Sequence, residues 1–152
     1  LQQLCKKINF PIVLVGGPED AKEGHAVAAI DPIKIYNACG KFSLNESASI
    51  VQKSRVVISH DTGLQYAACA FNKPVLAIWG STSPMLQVEP YYGELTLAAM
   101  GLSKPPYQNF IVPHLTCQPC SNYGTKKCPK GHFNCMMLQD TTAIAAAVEK
   151  YL

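Results

Sequence analysis

The sequence predicts an α/β fold built on a parallel, doubly wound, Rossmann-like sheet, and three observations carry that expectation. Short apolar runs without polar alternation recur at Phe10–Val15, Val56–Ile58 and Pro74–Trp79, as expected of parallel strands covered on both faces. These runs alternate with amphipathic stretches in the order α-β-α-β-α-β-α-β, joined by a few residues. That order fits parallel strands linked by right-handed crossovers. Three apolar runs also break into glycine-containing turns, at Gly16-Gly17-Pro18-Glu19-Asp20, Asp61-Thr62-Gly63 and Gly80-Ser81-Thr82-Ser83-Pro84. In sheets of this kind ligands bind beyond the carboxyl ends of the strands, where such turns lie.

Taken in order, Leu1, Leu4, Cys5 and Ile8 fall at helical spacing, so the first residue already lies on an amphipathic helix. The chain is therefore expected to be part of a longer protein. Residues 20–30 read as a helix, and Ile33–Tyr36 as a weaker strand ending at Gly40. Ser43 and Glu46 form a capping box, and Leu44, Ala48 and Val51 are the expected buried face of the helix it opens. Leu64, Ala67, Ala68 and Phe71 repeat the helical spacing after the Val56–Ile58 strand. From Ser83 to Thr116 the pattern is irregular and rich in Pro and Tyr, with one candidate strand at Leu95–Met100. Ile144, Ala147, Val148 and Tyr151 predict a closing helix over about 141–152.

With 152 residues, 48% hydrophobic and 15% charged, the chain can bury one full core. A net charge of +3 without a long basic run gives no electrostatic case for nucleic acid. No apolar stretch approaches the roughly 18 residues of a membrane span, and no signal peptide is visible. A reducing cytoplasm is the expected setting, and the seven cysteines are then not expected to pair. Cys5, Cys39 and Cys69 read as small buried hydrophobes.

A strand that breaks at Asp61-Thr62-Gly63 and runs directly into a helix presents backbone N–H groups to a phosphate. An ordinary capped helix uses the same residue types, with Asp61 or Thr62 as cap. The recurrence of such loops after apolar strands points to a ligand crevice. Cys117, Cys120, Cys128 and Cys135, spaced Cys-x2-Cys-x7-Cys-x6-Cys with His132 in the last interval, suit either a structural thiolate zinc site or a folded loop of reduced cysteines. This segment is expected to be structural and to lie outside the three ligand loops.

The glycine loop at 16–20, Phe42-Ser43-Leu44 opening a helix, Asp61-Thr62-Gly63-Leu64 and Gly80-Ser81-Thr82-Ser83-Pro84 together resemble the lipopolysaccharide heptosyltransferases of glycosyltransferase family 9. The cysteine segment resembles the tail of many members. The likeness covers nearly the whole chain and implies the C-terminal, nucleotide-sugar-binding half of a two-domain GT-B enzyme. Such an enzyme would transfer heptose from ADP-heptose to the lipopolysaccharide core with inversion, in the cytoplasm or peripherally at the inner membrane, with no cofactor required for transfer. The resemblance implies that Asp61 accepts hydrogen bonds from sugar hydroxyls. It gives the diphosphate to the N–H groups of Thr62 and Gly63, and sets Thr82 near the sugar or phosphates. It implies that Gly16 and Gly17 belong to the nucleotide loop, that Asp20 or Glu19 holds the ribose hydroxyls, and that the Phe42 backbone reads the adenine edge. Where the family carries a histidine this chain has Tyr66, a candidate contact to the donor sugar or diphosphate, so the chain either uses Tyr66 differently or recognises a different donor. His60, on the other side of the turn, is not its equivalent. The catalytic base and acceptor surface belong to the other half of the family's fold, so this segment alone is expected to be inactive. Two other readings share the architecture: a sugar-nucleotide epimerase, and a non-catalytic nucleotide- or zinc-binding module.

Overall fold

The computed structural model describes residues 1–152, the side chain of Leu95 excepted, and divides into two compact units, Leu1–Lys53 and Ser54–Leu152. The first contains α1 (Gln2–Lys7), β1 (Ile12–Leu14), a 3-10 turn (Pro18–Asp20), α2 (Ala21–Ala28), β2 (Ile35–Asn37) and α3 (Leu44–Lys53). β1 and β2 pair in parallel, with Ile12 opposite Ile35 and Leu14 opposite Asn37. β1 lies inside the expected Phe10–Val15 run, and β2 starts two residues into the expected Ile33–Tyr36 run and ends one residue past it.

α1 buries Leu4 and Cys5, with Ile8 just past its end. The unpaired carbonyls at that end attract a cation, and Lys34 supplies it: its ammonium donates to the Cys5 oxygen at 2.5 Å and to the Ile8 oxygen at 3.0 Å. Asn37, at the end of β2, is buried but fully used. Its amide nitrogen donates to the Ala21 oxygen and its amide oxygen accepts the Cys39 N–H, each at 3.0 Å. The close approach needs Gly24, where a Cβ would run into the Asn37 amide.

The capping box forms as expected. Ser43 N–H donates to Glu46 Oε2 at 2.8 Å, and the Ser43 hydroxyl donates to the same oxygen at 2.7 Å. The expected buried face needs correction, since Leu44 is 74% exposed while Ser47 and Val51 are buried. As the first residue of α3, Leu44 precedes the turn that faces the core, and Ser47 is small enough to pack there.

The second unit contains β3 (Val57–Ser59), α4 (Gly63–Ala70), β4 (Val75–Ile78), a 3-10 turn (Pro84–Leu86), α5 (Glu94–Ala99), β5 (Tyr107–Phe110), α6 (Asn134–Met137) and α7 (Thr141–Glu149). Its sheet is parallel in the order β3-β4-β5. β4, the central strand, has Val75, Leu76 and Ala77 all but inaccessible to solvent. Full burial of such side chains stabilises by about 1.5–3 kcal/mol each. α7 opens on Asp140, whose carboxylate accepts the Thr142 and Ala143 N–H groups at 3.0 and 2.9 Å. It buries Ile144, Ala147 and Val148 as expected. Cys5, Cys39 and Cys69 are likewise buried.

The candidate strand at Leu95–Met100 is instead α5. Its apolar residues alternate only briefly, and the Ala98-Ala99 pair favours helix once Glu94 has charged its first turn. The third strand of this sheet is β5, whose Tyr-Gln-Asn-Phe has no apolar run. It pairs with one side of β4 from Tyr107 opposite Val75 to Phe110 opposite Ile78.

Two outcomes follow for the first unit. Gly40 has φ +71°, its N–H donates to the Gly16 oxygen at 3.0 Å, and a Cβ there would lie 2.8 Å from the Pro18 Cα. Gly40→Ala should therefore cost about 1–2 kcal/mol or more from the left-handed backbone and the clash together, read by chemical denaturation. The hydrogen bonds from Ser43 hold the Glu46 carboxyl below its ordinary value. A lowered folded-state value stabilises above the unfolded value, about 4.3, and that contribution is lost as pH falls through the folded value. Helicity of α3 should thus decline on acidification below about pH 4 more steeply than in Glu46→Gln, as read by amide exchange across residues 44–53.

Candidate functional site

In the first unit the loops after β1 and β2 are joined at the carboxyl ends of the paired strands, through the Gly40 N–H and the Gly16 oxygen. This brings Gly16, Gly17, Glu19 and Asp20 into one loop pair with the segment leading to Phe42. Asp20 is partly committed: one carboxylate oxygen accepts the Gly17 N–H at 3.0 Å and closes the turn. A Cβ on Gly16 would come within 2.6 Å of that oxygen, and one on Gly17 would run into the Glu19 carboxylate. The two glycines let these carboxylates fold over the backbone, and Glu19 keeps both its oxygens for another partner. Phe42 is 40% exposed, just ahead of the capping box.

In the second unit, Asp61 and Thr82 line one cavity of about 210 Å³ together with His60, Ser81, Phe133 and Met136. The Asp61 side chain comes from the turn after β3 and that of Thr82 from the turn after β4. His60 is set by its ring, whose Nδ1 lies 3.1 Å from the Ile78 oxygen. Beside this cavity α4 begins. Thr62 is its N-cap, extended at φ −142° and ψ 162°, with no side-chain cap hydrogen bond and no acidic residue in the first turn. The threonine hydroxyl instead sits 3.3 Å from the Ser59 hydroxyl. The capped-helix alternative is thus not what these residues do. The Gln65 N–H donates to the Thr62 oxygen at 3.0 Å, whereas those of Gly63 and Leu64, at the very start of α4, have no intrahelical partner and keep their hydrogen-bonding capacity. Space around Gly63 is open, with nothing within 4 Å of where a Cβ would stand.

Tyr66 is placed differently from its neighbours in sequence. Its hydroxyl donates to the Val88 oxygen at 2.9 Å, and buried Gln65 donates to the same oxygen at 3.2 Å. Burial, with the nearby Asp61 charge, pushes the Tyr66 phenol up. It remains a hydrogen-bond donor over the working pH range, fastening the chain beyond the Gly80 turn to α4.

The cysteine segment does not stand apart from the ligand loops, contrary to expectation. Gln118 donates from Nε2 to the oxygens of Gly80 and Thr82 at 2.6 and 3.0 Å. Cys120 N–H donates to the Ser81 oxygen at 2.9 Å, and Thr125 N–H to the Ser81 hydroxyl at 3.0 Å. Cys135 and Gly80 line the Asp61 cavity and also a second cavity of about 230 Å³ that holds Cys117, Cys120 and Cys128. Backbone N–H groups, that of Phe133 first, hold the Cys128 thiol below its ordinary value. Burial, then the neighbouring Cys120 and Cys128, pushes Cys135 up. Among the described residues no three His, Cys, Asp or Glu side chains already stand in metal-binding geometry, and no helix is long and apolar enough to cross a membrane. Glycine and apolar spacing signalled the loops. The two glutamines that brace them, Gln118 and Gln139, carried no sequence signal.

The family model described as glycosyltransferase family 9 (heptosyltransferase) matches residues 1–130. Lipooligosaccharide heptosyltransferase 2 of Haemophilus influenzae is 30% identical over 80 residues, covering 50% of this chain and 23% of that protein. Lipopolysaccharide heptosyltransferase 2 of Escherichia coli is 27% identical over 89 residues, covering 54% and 26%. The matched part thus spans only about a quarter of these relatives' length. The solved structure of E. coli ADP-heptose lps heptosyltransferase II superposes with a TM-score of 0.55 at 18% identity, over 78% of this chain and 37% of that one. The crystal structure of the family 9 glycosyl transferase from Veillonella parvula gives 0.64 at 19% identity, over 99% and 38%. At these identities the likeness establishes a shared fold.

The open space at Gly63 separates a structural glycine from a ligand-facing one. Gly63→Ala meets no protein atom and gains helix propensity, so stability should stay level or rise by up to about 1 kcal/mol. If a diphosphate approaches this turn, the same change should weaken its binding several-fold. Thermal melts paired with calorimetric titration of ADP read both, and unchanged affinity would remove the turn from the phosphate site.

Proposed function

The chain belongs to glycosyltransferase family 9, the heptosyltransferases, and from that premise we propose that it is the donor-binding part of an inverting sugar transferase. Its donor on this reading is an ADP-activated heptose and its acceptor the lipopolysaccharide core. One observation carries the proposal: a carboxylate and a hydroxyl, Asp61 and Thr82, line a single cavity beside a helix start that has open space and no side-chain cap.

The chemistry divides between these groups. As the bond from the sugar to the diphosphate breaks, negative charge grows on the leaving phosphate. Preorganised N–H groups at the α4 start stabilise it without reorganising. Asp61 accepts hydrogen bonds from sugar hydroxyls and orients the anomeric carbon, and Thr82 contributes a second polar contact. In the first unit Glu19 is the carboxylate with both oxygens uncommitted for ribose hydroxyls, while Asp20 shapes the turn. The Phe42 backbone reads the adenine edge. Tyr66 serves as a brace through Val88 rather than as a sugar ligand. The base that activates the acceptor hydroxyl comes from a part of the enzyme outside this segment. On this reading the segment alone binds donor and transfers nothing.

The test is Asp61→Ala in an enzyme that carries this segment together with its acceptor-binding part. Turnover should fall by about 10²–10³-fold, the usual effect of losing one positioned polar contact at the reacting centre. Affinity for ADP should change little, since backbone amides hold the phosphates. Steady-state kinetics with ADP titration separate the outcomes: near-normal turnover removes Asp61 from the site, and a matching loss of ADP affinity makes its role structural.

A further inference from the structure

We propose that Cys117, Cys120, Cys128 and Cys135 are the four ligands of a structural zinc ion that forms the wall between the cysteine cavity and the Asp61 cavity. All four sulfur-bearing residues line one cavity of about 230 Å³, with Gly80 and His132. Three arrive there from two separate turns, and Cys135 from α6. The first, Cys117 to Cys120, is clamped by Gln118, which donates to the Gly80 and Thr82 oxygens, and by the Cys120 N–H on the Ser81 oxygen. The second, Cys128 to His132, closes with the Gly131 N–H donating to the Cys128 oxygen at 3.0 Å. Gly131 (φ +75°) and Phe133 (φ +49°) hold left-handed conformations that make this turn, a cost for phenylalanine that something must offset.

Four cysteines about one cavity suit zinc, which takes four sulfurs at about 2.3 Å in tetrahedral array. In the thiol form the sulfurs have no reason to converge. Binding releases their protons to solvent, and the ion then draws the side chains inward by rotation about Cα–Cβ. His132 is not a ligand on this proposal: its Nδ1 accepts the Asn134 N–H at 3.0 Å, which shapes the second turn. The metal energy would go into ordering a segment with almost no regular structure between β5 and α6.

The experiment uses the chain produced without an affinity tag in zinc-supplemented medium and kept reduced. Elemental analysis should give about one zinc per chain, the stoichiometry of a closed four-ligand site. Replacement by cobalt should give the visible bands and sulfur-to-metal charge transfer of a tetrahedral all-thiolate centre. His132→Ala should retain both. Cys117→Ser with Cys120→Ser should lose the metal and lower the melting temperature. Because that pair could simply unfold, Cys135→Ser and direct cobalt titration of the unaltered chain stand as independent readouts. Absence of zinc and of any cobalt spectrum overturns the site. So does loss of free thiols on quantification, which would mean disulfides, or an iron-sulfur absorbance. A cobalt spectrum that changes in His132→Ala overturns the ligand set.

Discussion

Where β4 leaves its sheet the chain runs out of strand partners, and the carbonyls of Trp79, Gly80 and Thr82 must find donors elsewhere or lie buried at a cost. Two distant glutamines supply them. Gln118 reaches Gly80 and Thr82, and Gln139 reaches Trp79 at 3.1 Å while also donating to Cys135 at 2.9 Å. The far side of Trp79 is held in the same manner: its indole N–H donates to Asn109 at 2.9 Å, and Asn109 donates in turn to Glu89. Trp79 is among the most deeply buried side chains of its unit. The Gly80 turn, with buried Thr82 in the cavity lining, therefore depends on segments that come 30 to 60 residues later.

Glycine serves two opposite purposes in this molecule. Gly40 and Gly24 are required by the protein itself, one by a left-handed backbone against Pro18 and the other by the Asn37 amide. Gly63 is required by nothing within the described residues, since its surroundings are empty. Gly63 thus lowers helix propensity without relieving any clash, and on the proposed function it lets a ligand come close to the backbone. The same logic separates Asp20, already bonded to Gly17, from Asp61, whose place is at a cavity wall.

Legibility in the sequence followed the range of the interactions. Val75-Leu76-Ala77-Ile78, the Ser43–Glu46 box and the Ile144–Val148 face are each set by neighbours within a few residues, so the strand, cap and helix could be read directly. β5 could not, because Asn109 looks like a loop residue until Trp79 and Glu89 are beside it. α5 was misread because Leu-Thr-Leu alternates over too short a span to distinguish the two periods. In the candidate site, the glycine turns at the ends of β1, β3 and β4 and the position of Asp61 after β3 could be placed from the sequence. The commitment of Tyr66 to Val88, and of Asp20 to Gly17, depended on which donor and acceptor the fold brings within reach.

The cysteine turns and the Asp61 cavity share a wall, and that has a mechanical consequence. Gly80 packs so that a Cβ would stand 3.1 Å from the Met136 sulfur, and Met136 directly follows Cys135 on α6. Packed interiors transmit small displacements rather than absorbing them. A change in the position of Cys135 is therefore felt at Gly80 and at Thr82 two residues on, without any cysteine touching a ligand. The shape of the cavity, and on the proposed function the choice among sugars that differ by one hydroxyl or one carbon, is set jointly by Asp61 and by the turns behind it. On the proposed reading, substitutions in the cysteine segment would alter donor selectivity and lower stability together, whereas those at the α4 start would weaken binding without loss of stability.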